Sequence, residues 1–324
     1  MVGFYTMKNG KAFLFPGQGS QYPGMGRDLY DAYPAVRKLF ELASDIMGRD
    51  ICTLLFEGTP EDLKSTENAQ IAITLHDLAA AVVLRELGLE PDMVAGFSLG
   101  EFPALAVSGV LDVETVFRIV KIRGEAMEEA SRHVANASGN PGMAAVMGLD
   151  FEEVVDILKR SGIRDLYAAN YNSPVQTVVS GTAAALREGE VALKNGGAKR
   201  IIPLKVSGPF HSPLMQDARD KFEAGIKDAV FSDPKIRLYS NVTGKAVANG
   251  AEAKRLSVLQ ITSPVLWVSI EENLIADGCV HAIETGPGSV LAGLLKAVSD
   301  IPCSAAGRLE DIKTIVSEGE NRCC

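Results

Sequence analysis

The segment of this sequence best suited to chemistry is Gly96-Phe97-Ser98-Leu99-Gly100. A serine with a glycine two residues away on each side fits a sharp strand-to-helix turn that lifts its hydroxyl above a sheet. The flanks agree, since Met93 to Gly96 is a short apolar run and Leu99 opens a helical pattern. The Leu99 N–H would then lie at a helix N-terminus, where it can donate to an oxyanion. The competing structural role is a glycine-lined packing turn whose serine caps a helix. A serine hydroxyl also needs a base, and four histidines are available. His76 and His133 fall in helical stretches and His281 in a C-terminal strand, where packing or surface roles are the simpler expectation. His211 lies in Ser207-Gly208-Pro209-Phe210-His211-Ser212-Pro213, a proline-bracketed loop. Loops on rigid scaffolds are where reactive side chains concentrate, which makes His211 the best candidate.

The elements that must position these groups alternate between strand and helix. Lys11 to Phe15 reads as a strand, Pro16-Gly17-Gln18-Gly19-Ser20-Gln21 as a turn, and helical periodicity starts near Arg27. Residues 69–87 form a helix with Ile71, Leu75, Leu78, Val82 and Leu87 on one face. This order predicts an α/β fold with a parallel sheet covered on both faces. The run from Asn136 to Gly142 reads as a linker, after which the pattern changes. Met143 to Met147 is a strand, Glu152 to Arg160 a helix, Leu166 to Asn170 and Gln176 to Ser180 two strands joined through 171–174, Thr182 to Asn195 a helix, and Lys199 to Val206 a strand. That βαββαβ order is the ferredoxin-like signature. Residues 140–206 are therefore expected as an insert in a larger domain made of 1–139 and 207–324. The remainder reads as helix-rich, with one strand at Val280 to Glu284 and a helix from Ser289.

Bulk properties narrow the function classes. The chain has 324 residues, 47% hydrophobic and 23% charged, and a formal net charge of −9. An acidic chain is a poor binder of nucleic acid, which needs clustered Lys and Arg. The five cysteines are odd in number and lack metal-ligand spacing, and no two histidines have zincin spacing, so no metal is expected. With no export signal or membrane-length apolar run, a cytoplasmic location is expected. Met7 is a possible alternative start, and Cys323-Cys324 reads as an exposed end.

Several motifs in register resemble those of malonyl-CoA:acyl carrier protein transacylases. They are Phe15-Pro16-Gly17-Gln18-Gly19-Ser20-Gln21, the serine elbow running into Glu101, Lys121-Ile122-Arg123-Gly124, Asn170-Tyr171-Asn172-Ser173-Pro174, and Gly208-Pro209-Phe210-His211-Ser212-Pro213-Leu214-Met215. Gln260 with Pro264-Val265-Leu266-Trp267, and Gly286-Pro287-Gly288, complete the set, which spans about 11–305. The resemblance implies an α/β-hydrolase-like main domain carrying the ferredoxin-like insert. It implies ping-pong malonyl transfer from malonyl-CoA, through an ester of Ser98, to the phosphopantetheine thiol of acyl carrier protein in fatty-acid synthesis. His211 would be the base, held by main-chain carbonyls including that of Gln260, with no triad carboxylate. The N–H groups of Gln18 and Leu99 would form the oxyanion hole, Arg123 would pair with the malonate carboxylate, and Phe210 would exclude a methyl branch. No cofactor is implied, and a monomer is expected.

One position departs from the family. Most members carry histidine where this chain has Phe97, which removes a donor near the acyl group. Two other function classes compete: an esterase, which needs water access and usually a carboxylate behind the histidine, and a non-catalytic carrier-protein-binding module. The retained Ser98, His211 and Arg123 disfavour the second. An acidic carrier protein would need a local basic patch, for which Lys194, Lys199, Arg200 and Lys205 are candidates.

Overall fold

The computed structural model describes residues 9–321; the possible start at Met7 and the Cys323-Cys324 pair lie outside them. Five short strands form the main sheet: β1 (Gly10–Phe15), β2 (Met93–Gly96), β7 (Arg237–Tyr239), β8 (Cys279–Glu284) and β9 (Cys303–Ala305). They run β7-β2-β1-β8-β9, every pair parallel. Side chains alternate across a strand. Accordingly Phe13 and Phe15 of β1 enter one hydrophobic core while Ala12 and Leu14 enter another on the opposite face. Both faces are covered, which is why the central strand reads as an unbroken apolar run.

β7 and β9 are absent from the sequence reading, which gave this region as helix-rich with one strand. Each is three residues long, too short to show a period of two. Each exists as a strand because it pairs with a longer neighbour, β7 with β2 and β9 with β8.

The predicted helix at 69–87 runs Thr66–Glu86 and starts one turn earlier because Ser65 accepts from the Asn68 N–H as its cap. It is not one-faced. Every residue from Ala69 to Ala81 is buried, because the Pro34–Met47, Glu101–Val107 and Val113–Ser138 helices surround it. Gln70, Thr74, His76 and Asp77 are thereby carried into the interior.

The second sheet consists of β3 (Gly142–Met147), β4 (Leu166–Ser173), β5 (Gln176–Gly181) and β6 (Arg200–Pro203), in the order β4-β5-β3-β6 and all antiparallel. With the Phe151–Ser161 and Ala183–Asn195 helices it makes the ferredoxin-like pattern around its own core, including Val146, Val154, Leu158, Val179 and Leu193. The expected 136–142 linker begins as helix, since Val113–Ser138 runs into it and is capped at Gly139, whose N–H reaches the Ala135 carbonyl at 3.0 Å; only the short stretch from there to β3 is irregular. β4 also extends past its expected end at Asn170. Tyr171 N–H donates to the Val265 carbonyl at 2.8 Å and Val265 N–H to the Ala169 carbonyl at 2.9 Å. This ties the second sheet to the chain that follows Gln260, a pairing across almost a hundred residues. No helix among the described residues is long and apolar enough to cross a membrane.

Candidate active site

The site is built where the parallel strands end, the usual crevice of an open α/β sheet. β1 and β2 are neighbours, so the Pro16–Gln21 turn and the serine elbow leave the sheet side by side. Phe97 N–H donates to the Phe15 carbonyl at 2.8 Å. Their approach requires glycine: a Cβ on Gly100 would sit 2.1 Å from the Phe15 carbonyl oxygen, and one on Gly96 would sit 1.9 Å from the Gly100 carbonyl carbon. A 3₁₀ turn at Ser98–Gly100 leads into the Glu101–Val107 helix, and Ser98 takes a left-handed φ of 51°.

Ser98 Oγ lies 2.7 Å from His211 Nε2. His211 Nδ1 lies 2.9 Å from the main-chain oxygen of Gln260. A carbonyl only accepts, so Nδ1 carries the proton and Nε2 is left as the acceptor for the serine O–H. Among the described residues, no carboxylate bonds to either ring nitrogen. Asp217 is exposed and faces His133 at 3.7 Å, in keeping with a helix surface residue. His76 is buried elsewhere in its helix, and His281 meets Ser304 Oγ at 2.9 Å.

Arg123 differs most from what its helical setting suggests, a solvated charge. It is 1% exposed. Its guanidinium donates to Gln260 Oε1 at 3.0 Å, approaches Ser98 Oγ at 3.4 Å and lies 5.3 Å from the Phe102 ring centre. Its buried Nε has no hydrogen-bond partner among the described residues. Burial pushes its pKa down to about 10, with Glu101 opposing the shift, so it remains a cation at neutral pH. Burial first, and then the Arg123 charge, push the His211 imidazole down to about 4. Burial pushes Glu101 up to about 7 against the opposing pull of Asn241, Gln260 and Arg123.

All the candidates converge. Gln18, Phe97, Ser98, Leu99, Arg123, Phe210 and His211 line one open cavity of about 110 Å3, and Gln260 is wholly buried behind it. The second sheet supplies the facing wall through Met143, Asn170, Asn172 and Val178; Leu204 and Val206 also line the cavity but lie just past β6, which ends at Pro203 and not at Val206 as the sequence suggests. Phe97 packs edge-on against Trp267 with ring centres 5.4 Å apart and offers the cavity no donor. Sequence reading passed over Asn241. Its carboxamide accepts from Ser98 N–H at 2.6 Å and donates to the Gly96 carbonyl at 2.6 Å, and its own N–H meets Glu101 Oε2 at 2.7 Å. The only sequence signal was an asparagine just past a strand too short to recognise.

Residues 12–313 match the family model described as an acyl transferase domain. The malonyl CoA-acyl carrier protein transacylase of Bacillus subtilis (strain 168) is 40% identical over 291 residues, 89% of this chain and 90% of its own length. This chain belongs to that family. The transacylase of Escherichia coli (strain K12) is 37% identical over 91% of this chain and 94% of its own. Among solved structures, MCAT from Streptococcus pneumoniae superposes with a TM-score of 0.90 at 34% identity, over 95% of this chain and 99% of that one. A malonyl-transacylase in complex with its type II PKS acyl-carrier protein also gives 0.90 at 34% identity, over 96% and 100%. As in other members of the family, the large parallel sheet and small antiparallel sheet occur together in one chain.

The depressed His211 pKa has a consequence for pH. An unfolded imidazole binds its proton near 6.5 and the buried one near about 4. The neutral form is therefore favoured by the fold, and this contribution to stability, full above 6.5, is lost as pH falls through about 4. The rate at which Ser98 reacts with a fluorophosphonate should stay level through pH 6.5 and halve only near about 4. A half-point at the ordinary imidazole value would contradict the geometry.

Proposed function

We propose that this enzyme transfers a malonyl group from malonyl-CoA to the phosphopantetheine thiol of an acyl carrier protein, through a malonyl ester on Ser98, and so supplies fatty-acid synthesis. The observation that carries this reading is the buried Arg123 cation, its Nε without an acceptor among the described residues, lining the cavity next to the Ser98–His211 pair. A guanidinium is a planar fork suited to a carboxylate, which a lysine matches poorly. A malonyl group supplies that carboxylate and an acetyl group does not. Leaving one partner of a buried ion pair unmatched costs roughly 3–5 kcal/mol. Phe210, 5% exposed on the cavity wall, limits the space beside the acyl carbon that a methyl branch would need.

Both half-reactions balance on the protein's own groups, and the proposed reaction uses no cofactor. In the first, Ser98 Oγ bonds to the thioester carbon as its proton passes to His211 Nε2. The oxyanion is held by the N–H groups of Gln18 and Leu99. The C–S bond then breaks, and His211 returns the proton to the departing coenzyme A thiol. In the second, the carrier thiol gives its proton to His211 and attacks the ester carbon. The C–O bond breaks, and Ser98 recovers the proton. The Gln260 carbonyl keeps the imidazole in one tautomer throughout, a role that aspartate plays in serine triads. In the proposed reaction the enzyme acts as a cytoplasmic monomer, with residues 140–206 as an insert that supplies one wall of the cavity.

With holo acyl carrier protein as acceptor, transfer should exceed hydrolysis of malonyl-CoA by at least about tenfold, because a thiolate attacks the ester faster than water does and His211 has no carboxylate behind it as esterases usually do. Dominant hydrolysis would make the protein an esterase. Lys199, Arg200 and Lys205 are exposed on and beside β6, and Lys205 lies between the cavity residues Leu204 and Val206. Lys194 is engaged with Glu190 one turn away. Charge reversal at Lys199 and Arg200 should raise the KM for the carrier protein and spare that for malonyl-CoA; equal KM values for the carrier would remove these residues from the docking surface.

A further inference from the structure

We infer that Asn241 is a positioning residue for the reaction: its single carboxamide fixes the Ser98 backbone from both sides of Phe97, and so sets where the hydroxyl lies against His211. The inference rests on the reading of Ser98 as the acyl carrier.

Ser98 has a φ of 51°, a conformation that costs a residue with a Cβ about 1–2 kcal/mol. Such a conformation persists only where its surroundings over-determine it. Gly96 and Gly100 make room for it, but room alone does not hold it. Asn241 does, by accepting from the Ser98 N–H and donating to the Gly96 carbonyl, each at 2.6 Å. The two contacts need a donor and an acceptor on one rigid planar group, which only a carboxamide offers at this reach. Gln260 Nε2 donates to the Ser98 carbonyl at 2.9 Å. The residue is thus held at its N–H and its C=O, with Oγ left for His211.

β7 explains how Asn241 arrives there. It pairs with β2 in the register Met93 with Arg237 and Ala95 with Tyr239. Carried two residues on, that register sets Asn241 beside Phe97, where the serine turn abandons the ladder and the carboxamide takes over its hydrogen bonds. Asn241 is fully buried and anchored on both sides. Its N–H meets Glu101 Oε2 at 2.7 Å, and its carbonyl accepts from Leu266 N–H at 2.9 Å. Glu101 lies three residues past Ser98, so the clamp closes back onto the same turn. A further consequence is that the Ser98 N–H is occupied, which leaves oxyanion stabilisation to Gln18 and Leu99.

A residue that acts this way affects every reaction at Ser98 Oγ and leaves malonyl-CoA binding alone, since Asn241 is not among the cavity-lining residues. The test compares Asn241→Ala, which removes both bonds, with Asn241→Asp, which keeps the acceptor and loses the donor to Gly96. The expected result for Asn241→Ala is a loss of about 10²-fold in fluorophosphonate reaction and in kcat for malonyl transfer, the size expected of a displacement near 1 Å. Asn241→Asp, which sets a carboxylate oxygen against the Gly96 carbonyl, should lose at least as much, and the KM for malonyl-CoA should stay within about threefold in both. Fluorophosphonate rates within about threefold of the parent, a rise in KM at constant kcat, or variants that circular dichroism shows to be unfolded would each overturn the inference. A parent enzyme that reacts with the fluorophosphonate but not with malonyl-CoA would instead reject the substrate assignment, and the Asn241 comparison would still be decided by the first reagent.

Discussion

A guanidinium removed from water is the constraint around which the rest of the site is arranged. Desolvating such a cation costs several kcal/mol unless partners replace the lost water. Arg123 receives only part of that replacement from the protein: the Gln260 amide oxygen, the face of Phe102 and a carboxyl at Glu101 that burial pushes up to about 7. Burial thus weakens Glu101 as a counter-charge, and no ion pair joins it to Arg123 among the described residues. The same charge acts on the chemistry. It helps to hold His211 well below its ordinary pKa, so the imidazole stays neutral and ready to accept the serine proton. Under the proposed reaction, one buried residue serves substrate choice and base state together.

Gln260 connects these functions. Its carbonyl accepts from the His211 Nδ1–H, its Oε1 accepts from the Arg123 guanidinium, and its Nε2 donates to the Ser98 carbonyl. It sits at the end of the Gly250–Leu259 helix, in a 3₁₀ turn, just before Val265 joins β4. The second sheet is thus tied to the main one within a few residues of the reacting groups, and its wall of the cavity is set by that bridge. Phe97 fits this arrangement as an apolar surface. It packs on Trp267, whose indole N–H is itself satisfied by Glu271 at 2.7 Å.

Most of the site was legible because its residues lie in local patterns. The serine elbow announces itself through glycines whose absent Cβ atoms the structure shows to be necessary, and the His211 loop through its prolines. The two sheets were legible where strands are long enough to show their period. What stayed hidden depends on contacts distant in sequence. β7 and β9 have no periodicity of their own, and the end of β4 is fixed by Val265. The burial of Arg123 comes from helices that wrap its own. Asn241 belongs with these, since its partners are about 140 residues away. The helix at Thr66–Glu86 shows the converse error, an apolar stripe that is real but does not reveal that the polar side is buried as well.

The central claim is that Ser98 is acylated by a group whose carboxylate Arg123 recognises. Intact-mass measurement after brief exposure to malonyl-CoA or acetyl-CoA tests it most directly. The account predicts a single malonyl adduct on Ser98, absent from Ser98→Ala, with acetyl labelling slower by a factor of about 10² to 10³, the equivalent of about 3–4 kcal/mol. In Arg123→Ala the preference for malonyl should vanish. Equal labelling by the two thioesters in the parent enzyme, or an adduct on another residue, would contradict it.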